Sequence, residues 1–145
     1  MLIVVTGPPA AGKSTWIKEH ATARDIVIDL DLMALAMAGP GADHHAHGDV
    51  LMRVVHRARF AALNEAYQHL DKVDVYVIHT QPSAKALAKY KRLEARIVTI
   101  DPGREIVMGR VKAMRQPEME RVVTRWYNAR RGRPAEGMPQ ASRAW

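Results

Sequence analysis

The segment Gly7-Pro8-Pro9-Ala10-Ala11-Gly12-Lys13-Ser14 constrains this chain more than any other feature. Glycine, four residues, glycine, lysine and a hydroxyl is the spacing of a phosphate-binding loop. It lies between the apolar run Leu2-Ile3-Val4-Val5 and a stretch that reads as helix from about Lys13. The apolar run is short and β-branched, as a strand buried on both faces of a parallel sheet must be. In such a loop the glycines let backbone N–H groups turn inward around the β-phosphate, and the helix N-terminus adds partial positive charge. Lys13 is expected to reach the β- and γ-phosphates and the Ser14 hydroxyl to ligate magnesium. The expected nucleotide site is Gly7, Pro8, Pro9, Ala10, Ala11, Gly12, Lys13, Ser14 and Thr15, holding ATP with Mg2+; Pro8 and Pro9 stiffen it.

The remaining pattern repeats strand and helix. Ile26-Val27-Ile28 is a second strand that ends in Asp29 and Asp31, followed by a short helix carrying Leu32, Leu35 and Ala36 and a glycine-rich loop from Gly39 to Gly48. A long helix is expected from Asp49, as N-cap, to about Leu70, with Leu51, Val54, Val55, Ala58, Ala62, Leu63 and Ala66 at helical spacing. Val73 to Ile78 is a third strand, Ser83 caps a helix to Leu93, and Arg96 to Ile100 is a fourth strand. Helices over about Arg104 to Met114 and Pro117 to Arg130 follow. Such alternation packs as a mostly parallel sheet covered on both faces, a three-layer α/β/α P-loop NTPase fold.

At 145 residues one domain is expected, over 1–131, with a C-terminal tail at 132–145 that is extended or poorly ordered. No run of 18 apolar residues suggests a membrane span. The absence of cysteine excludes disulfides, thiolate zinc sites and a cysteine nucleophile, and the cytoplasm is the expected compartment. The formal net charge of +7, concentrated after Lys85, suggests a face that meets phosphates.

The loop does not name a reaction, because GTPases, motor ATPases and small kinases all carry it. A guanine-reading N-K-x-D segment is missing: Asn64 and Asn128, the only asparagines, begin none. Where a ring ATPase or helicase shows a strand ending in paired acids, the third strand ends in His79-Thr80-Gln81. Gly12-Lys13-Ser14-Thr15-Trp16, followed by Lys18-Glu19, resembles the opening of the polynucleotide kinase and zeta-toxin-like branch of AAA-type P-loop kinases, typical of bacteriophage enzymes.

That resemblance implies several roles. Asp31, in Ile28-Asp29-Leu30-Asp31, falls where the family has the base that takes the proton of the attacking hydroxyl. Arg110 and Arg115 fall in the family's lid helix, about 103–116 here, whose arginines clamp the phosphates. Two positions depart from the family: its Asp-Thr-Asn is His79-Thr80-Gln81, and Ala34 replaces an arginine that binds the acceptor phosphate.

The residues themselves allow the same assignment. Ligands of open α/β sheets bind outside the carboxyl ends of the strands, which brings Asp29 and Asp31 toward the acceptor. Asp31 is the candidate base, with Asp29 its rival and a candidate metal ligand beside Ser14. A strand continuing to Leu30 puts both on one face, and either is also a candidate cap for a helix starting near Leu32. Arg104, Arg110, Lys112 and Arg115 read as a lid or as a solvated helix face. Thr80 and Gln81 are placed to hold metal-bound water. Asp43-His44-His45-Ala46-His47 reads as a polar loop rather than a metal site. Trp126 and Tyr127 with Arg130, Arg131 and Arg133 suit either nucleic-acid contact or a helix end with basic groups.

The expected activity is transfer of the γ-phosphate of ATP to a hydroxyl of a nucleic-acid end, a modified DNA base or a nucleotide-like acceptor. The alternatives are a zeta-toxin-like sugar-nucleotide kinase and a non-catalytic ATP-binding module that docks on nucleic acid; no membrane partner is expected.

Overall fold

Leu2–Thr6 (β1) is buried at every residue because parallel strands flank it on both sides, Val75–Ile78 (β3) and Arg96–Thr99 (β4). Ile26–Ile28 (β2) pairs with β3, so the sheet is all parallel in the order β2-β3-β1-β4. This is a computed structural model, and it describes residues 1–43, 46–114 and 116–131. Among these, six helices accompany the strands: α1 (Lys13–His20), α2 (Leu30–Met37), α3 (Asp49–Ala66), α4 (Ala84–Arg92), α5 (Arg104–Ala113) and α6 (Pro117–Arg130).

The period of two along a strand sorts the core into two halves. Ile3, Val5, Tyr76, Val98 and Ile100 face one side and pack with Ile17 of α1, Val107 and Val111 of α5, and Val123 of α6. Leu2, Val4, Ile28, Val75 and Val77 face the other and pack with Leu63 and Ala66 of α3 and Tyr90 of α4. The result is the expected three-layer α/β/α arrangement. Each buried valine of the sheet contributes about 1.5–3 kcal/mol relative to exposure, so these two layers carry most of the stabilisation. In β2, Ile26 and Val27 remain partly exposed because the strand has a neighbour on one side only.

From β1 the chain passes through α1 to β2 on one side of the sheet, and from β3 through α4 to β4 on the other. The reversal opens a crevice beyond the carboxyl ends of β1 and β3. The backbone stays laced past the strand ends: His79 N donates to Val5 O (3.0 Å), Gly7 N to Thr80 O (3.3 Å) and Ile100 N to Thr6 O (2.9 Å).

Helix ends differ in detail from the sequence reading. The cap of α3 is Gly48, and Asp49 is the first helical residue, where its carboxylate still meets the positive end of the helix dipole. The α-helical geometry stops at Ala66 and tightens into a 3₁₀ turn over Tyr67–His69. Helix α2 begins at Leu30, two residues earlier than expected. Ser83 caps α4 as expected, accepting from Ala86 N at 3.1 Å. Among the described residues no helix is long and apolar enough to cross a membrane. Arg115, His44, His45 and the tail expected at 132–145 lie outside the described residues.

Candidate active site

A cavity of about 750 Å3 occupies the crevice at the carboxyl end of the sheet. Its floor is the loop after β1: Pro9 to Thr15 line it, while Gly7 and Pro8 lie beneath and hold the loop to the sheet. Gly7 needs to be glycine, since a Cβ there would stand 2.2 Å from Ile100 O and its φ is +143°. Gly12 takes φ 101° as it turns the chain into α1, whose first-turn N–H groups have no intrahelical acceptor and are offered to an anion.

Lys13 is buried and donates to Gly7 O (2.8 Å) and Pro8 O (2.6 Å). Burial pulls its pKa down to about 8, against the opposing charges of Asp29 and Asp31. The sign of the consequence follows from linkage. Between about pH 8 and 10.5 the unfolded chain holds more protons at this lysine, so the unliganded fold gains stability from it as pH rises through that window. A bound triphosphate favours the cation instead, so its affinity changes in the opposite direction. ATP binding should weaken above pH 8, by up to about tenfold per unit, with proton uptake on binding. Calorimetry at pH 7.5, 8.5 and 9.5 in buffers of different ionisation enthalpy checks this; a dissociation constant flat across the range refutes it.

Asp29 is buried and joins two elements. Its Oδ1 accepts from Asp31 N at 3.0 Å, capping α2, and its Oδ2 accepts from Ser14 Oγ at 3.0 Å. Because the chain enters α2 directly after Asp29, the two aspartates do not share a strand face. Asp29 points into the base of the cavity, and Asp31 sits exposed in the first turn of α2, lining the cavity. Ser14 and Asp29 supply hard oxygens side by side. That suits Mg2+, which takes one or two protein oxygens and completes its shell with phosphate and water.

Arg110, on α5, donates from Nη1 to Ala10 O at 3.0 Å and so ties that helix to the phosphate loop. Helix α5 is itself part of the core through Val107 and Val111, and the stretch expected as lid reaches the cavity with Val111, Met114 and Gln116. Arg115, the second expected clamp, lies outside the described residues. Thr80 and Gln81 line the cavity, and Thr80 O is held by Trp126 Nε1 at 2.9 Å.

Of the two readings left open for the end of α6, one is removed here. Trp126 is buried in the core, and Tyr127 donates its hydroxyl to Asp101 Oδ1 at 2.5 Å, so this pair does not form an aromatic nucleic-acid face. Trp16 packs beside Tyr76 and stacks on His20 at 3.9 Å, away from the cavity lining.

The sequence reading missed His56 and Arg59 of α3, which also line the cavity. A signal was present: Arg59 stands four residues after Val55 and four before Leu63, both buried, so a charge interrupts the apolar stripe of the helix.

Residues 2–134 match a family model described as an AAA domain (AAA_33), a P-loop kinase-like family that includes polynucleotide kinase types. The chain belongs to this family. Its members bind nucleotide at the phosphate loop, usually with Mg2+. No curated protein matches the chain.

Proposed function

We propose that the protein is an ATP-dependent kinase that transfers the γ-phosphate to a hydroxyl of a nucleic-acid end, a modified DNA base or a nucleotide-like acceptor. The observation that carries this reading is that one cavity is lined by the phosphate loop with Lys13 and Ser14, by Asp29, and by the carboxylate of Asp31. Phosphoryl transfer requires neutralised phosphate charge and an aligned attacking oxygen more than covalent help from the protein.

Lys13 leaves its loop carbonyls to meet the β- and γ-phosphates, and the N–H groups at the start of α1 hold the β-phosphate. Ser14 and Asp29 would hold Mg2+, which would supply Lewis-acid neutralisation of the phosphate charge. Asp31 orients the acceptor hydroxyl and takes its proton as the new O–P bond forms and the bond to the ADP oxygen breaks. Arg110 keeps the loop closed against α5 and adds positive charge at the phosphates.

A sugar-nucleotide acceptor is the second reading. It is favoured by His79 standing where the polynucleotide kinases have an acid, and by Ala34, fully buried, standing where they have an acceptor-binding arginine. The docking-module alternative rests on the basic C-terminal face, to which Trp126, being buried, adds nothing.

The test is an acceptor screen with γ-labelled ATP and Mg2+ against oligonucleotides, nucleosides, nucleotides and sugar nucleotides, with Lys13→Ala as the blank. Label should pass to one acceptor class with the native protein and to none with the blank. Label that stays on ATP, or goes only to water, with every acceptor rejects the kinase reading.

A further inference from the structure

Opposite chemistry meets in the cavity: carboxylates at Asp29 and Asp31, and donors on α3 and at the end of β3. Arg59 is half-buried and donates from Nη2 to Ile78 O at 3.2 Å. Among the described residues no ion pair holds it, so a guanidinium withdrawn from bulk water faces the cavity that Asp29 and Asp31 also line. A partly desolvated cation of this kind gains most from an anion delivered by a ligand, and its planar fork matches two oxygens of a phosphate.

A second donor is fixed by the same group. The Arg59 guanidinium lies close to the hydroxyl of Tyr90, a buried residue of α4, and that hydroxyl lies 2.7 Å from His79 Nδ1. A guanidinium only donates, so the arrangement in which the tyrosine oxygen turns its lone pairs to Arg59 and also uses its own proton sends that proton to Nδ1. In that arrangement the imidazole carries its proton on Nε2 and acts there as a donor. Burial and the nearby Arg59 charge push the His79 pKa down, which favours the neutral ring. So arranged, Arg59 and His79 present donors to the cavity that both line.

We propose that Arg59 and His79, with Tyr90 as the positioning residue between them, form a subsite for a phosphate group carried by the acceptor beside its reactive hydroxyl. The inference rests on the kinase reading for the word acceptor, while the anion site itself stands on the geometry of α3, α4 and β3.

The test fills the phosphate loop with saturating ADP and Mg2+ and then titrates nucleoside 3′- and 5′-monophosphates and the matching nucleosides by calorimetry. At least one monophosphate should bind about tenfold or more tightly than its nucleoside. Arg59→Met should reduce that ratio to near one, and Arg59→Lys, which keeps charge and stem, should restore part of it. Tyr90→Phe should lower the ratio several-fold and shift the ring ¹⁵N resonances of His79 away from the Nε2–H tautomer, a change that mere loosening of α4 does not produce. No preference for any monophosphate, or a preference that survives Arg59→Met, overturns the subsite. Label transfer measured on the same samples separates the two ideas: Arg59-dependent binding without transfer removes the kinase reading alone, and transfer indifferent to Arg59 removes the subsite alone.

Discussion

Asp31→Asn protein should bind ATP with close to native affinity and lose transfer to every acceptor by about 100- to 10,000-fold in kcat, the range that removal of a general base commonly costs. The geometry separates this substitution from its neighbour. Asp31 is exposed in the first turn of α2, so asparagine there changes stability by no more than about 0.5 kcal/mol. Asp29 is buried, caps α2 and accepts from Ser14, so Asp29→Asn keeps a competent cap but removes the charge beside the magnesium ligand. It should raise the dissociation constant for Mg–ATP. Measuring ATP affinity and acceptor turnover for both variants assigns the two carboxylates. If Asp31→Asn turns over normally while Asp29→Asn binds Mg–ATP normally and loses kcat, the base is Asp29.

The second large effect is structural. Gly7→Ala should destabilise the fold by about 4 kcal/mol or more, the sum of overpacking at about 1–3 kcal/mol and backbone strain of similar size. The new Cβ would meet a backbone oxygen, Ile100 O, at 2.2 Å, and a carbonyl in a sheet cannot swing aside as a side chain can. Ile100 N is bonded to Thr6 O, so relief of the clash requires β1 and β4 to part at the residue that launches the phosphate loop. Nucleotide binding should fall with stability. Gly39→Ala is the control, because nothing lies within 4 Å of its added Cβ. Urea midpoints for the two variants decide the matter: a Gly7→Ala protein within about 1 kcal/mol of native refutes the close approach, which is well outside the scatter of ordinary surface changes.

Much of the fold was legible because its signals are local. Strand β1, the phosphate loop and α1 are consecutive, and each is specified by residue type at fixed spacing. The alternation of apolar runs with helical periodicity was enough to give four strands in three layers. Misread points were those where the local signal was ambiguous. An aspartate at the head of a helix looked like a cap, and Gly48, with no side chain to announce it, took that position. Trp126 and Tyr127 beside arginines suited a nucleic-acid surface and a basic helix end alike, because composition does not say which face of α6 meets the sheet. The buried Val123 and Trp126 settle that face.

What the sequence determined by itself is the phosphate loop and the layer order around it, since eight consecutive residues and two hydrophobic periods require no distant partner. Tertiary structure decided the rest of the site. Asp29 reaches Ser14 across fifteen positions, Arg110 reaches Ala10 across one hundred, and Arg59, Tyr90 and His79 arrive from α3, α4 and β3. These pairings depend on how helices seat on the sheet, and burial within that packing sets which of the groups are charged. The loop announces a nucleotide site through local chemistry, and the wall of the cavity opposite it exists only after the layers have packed.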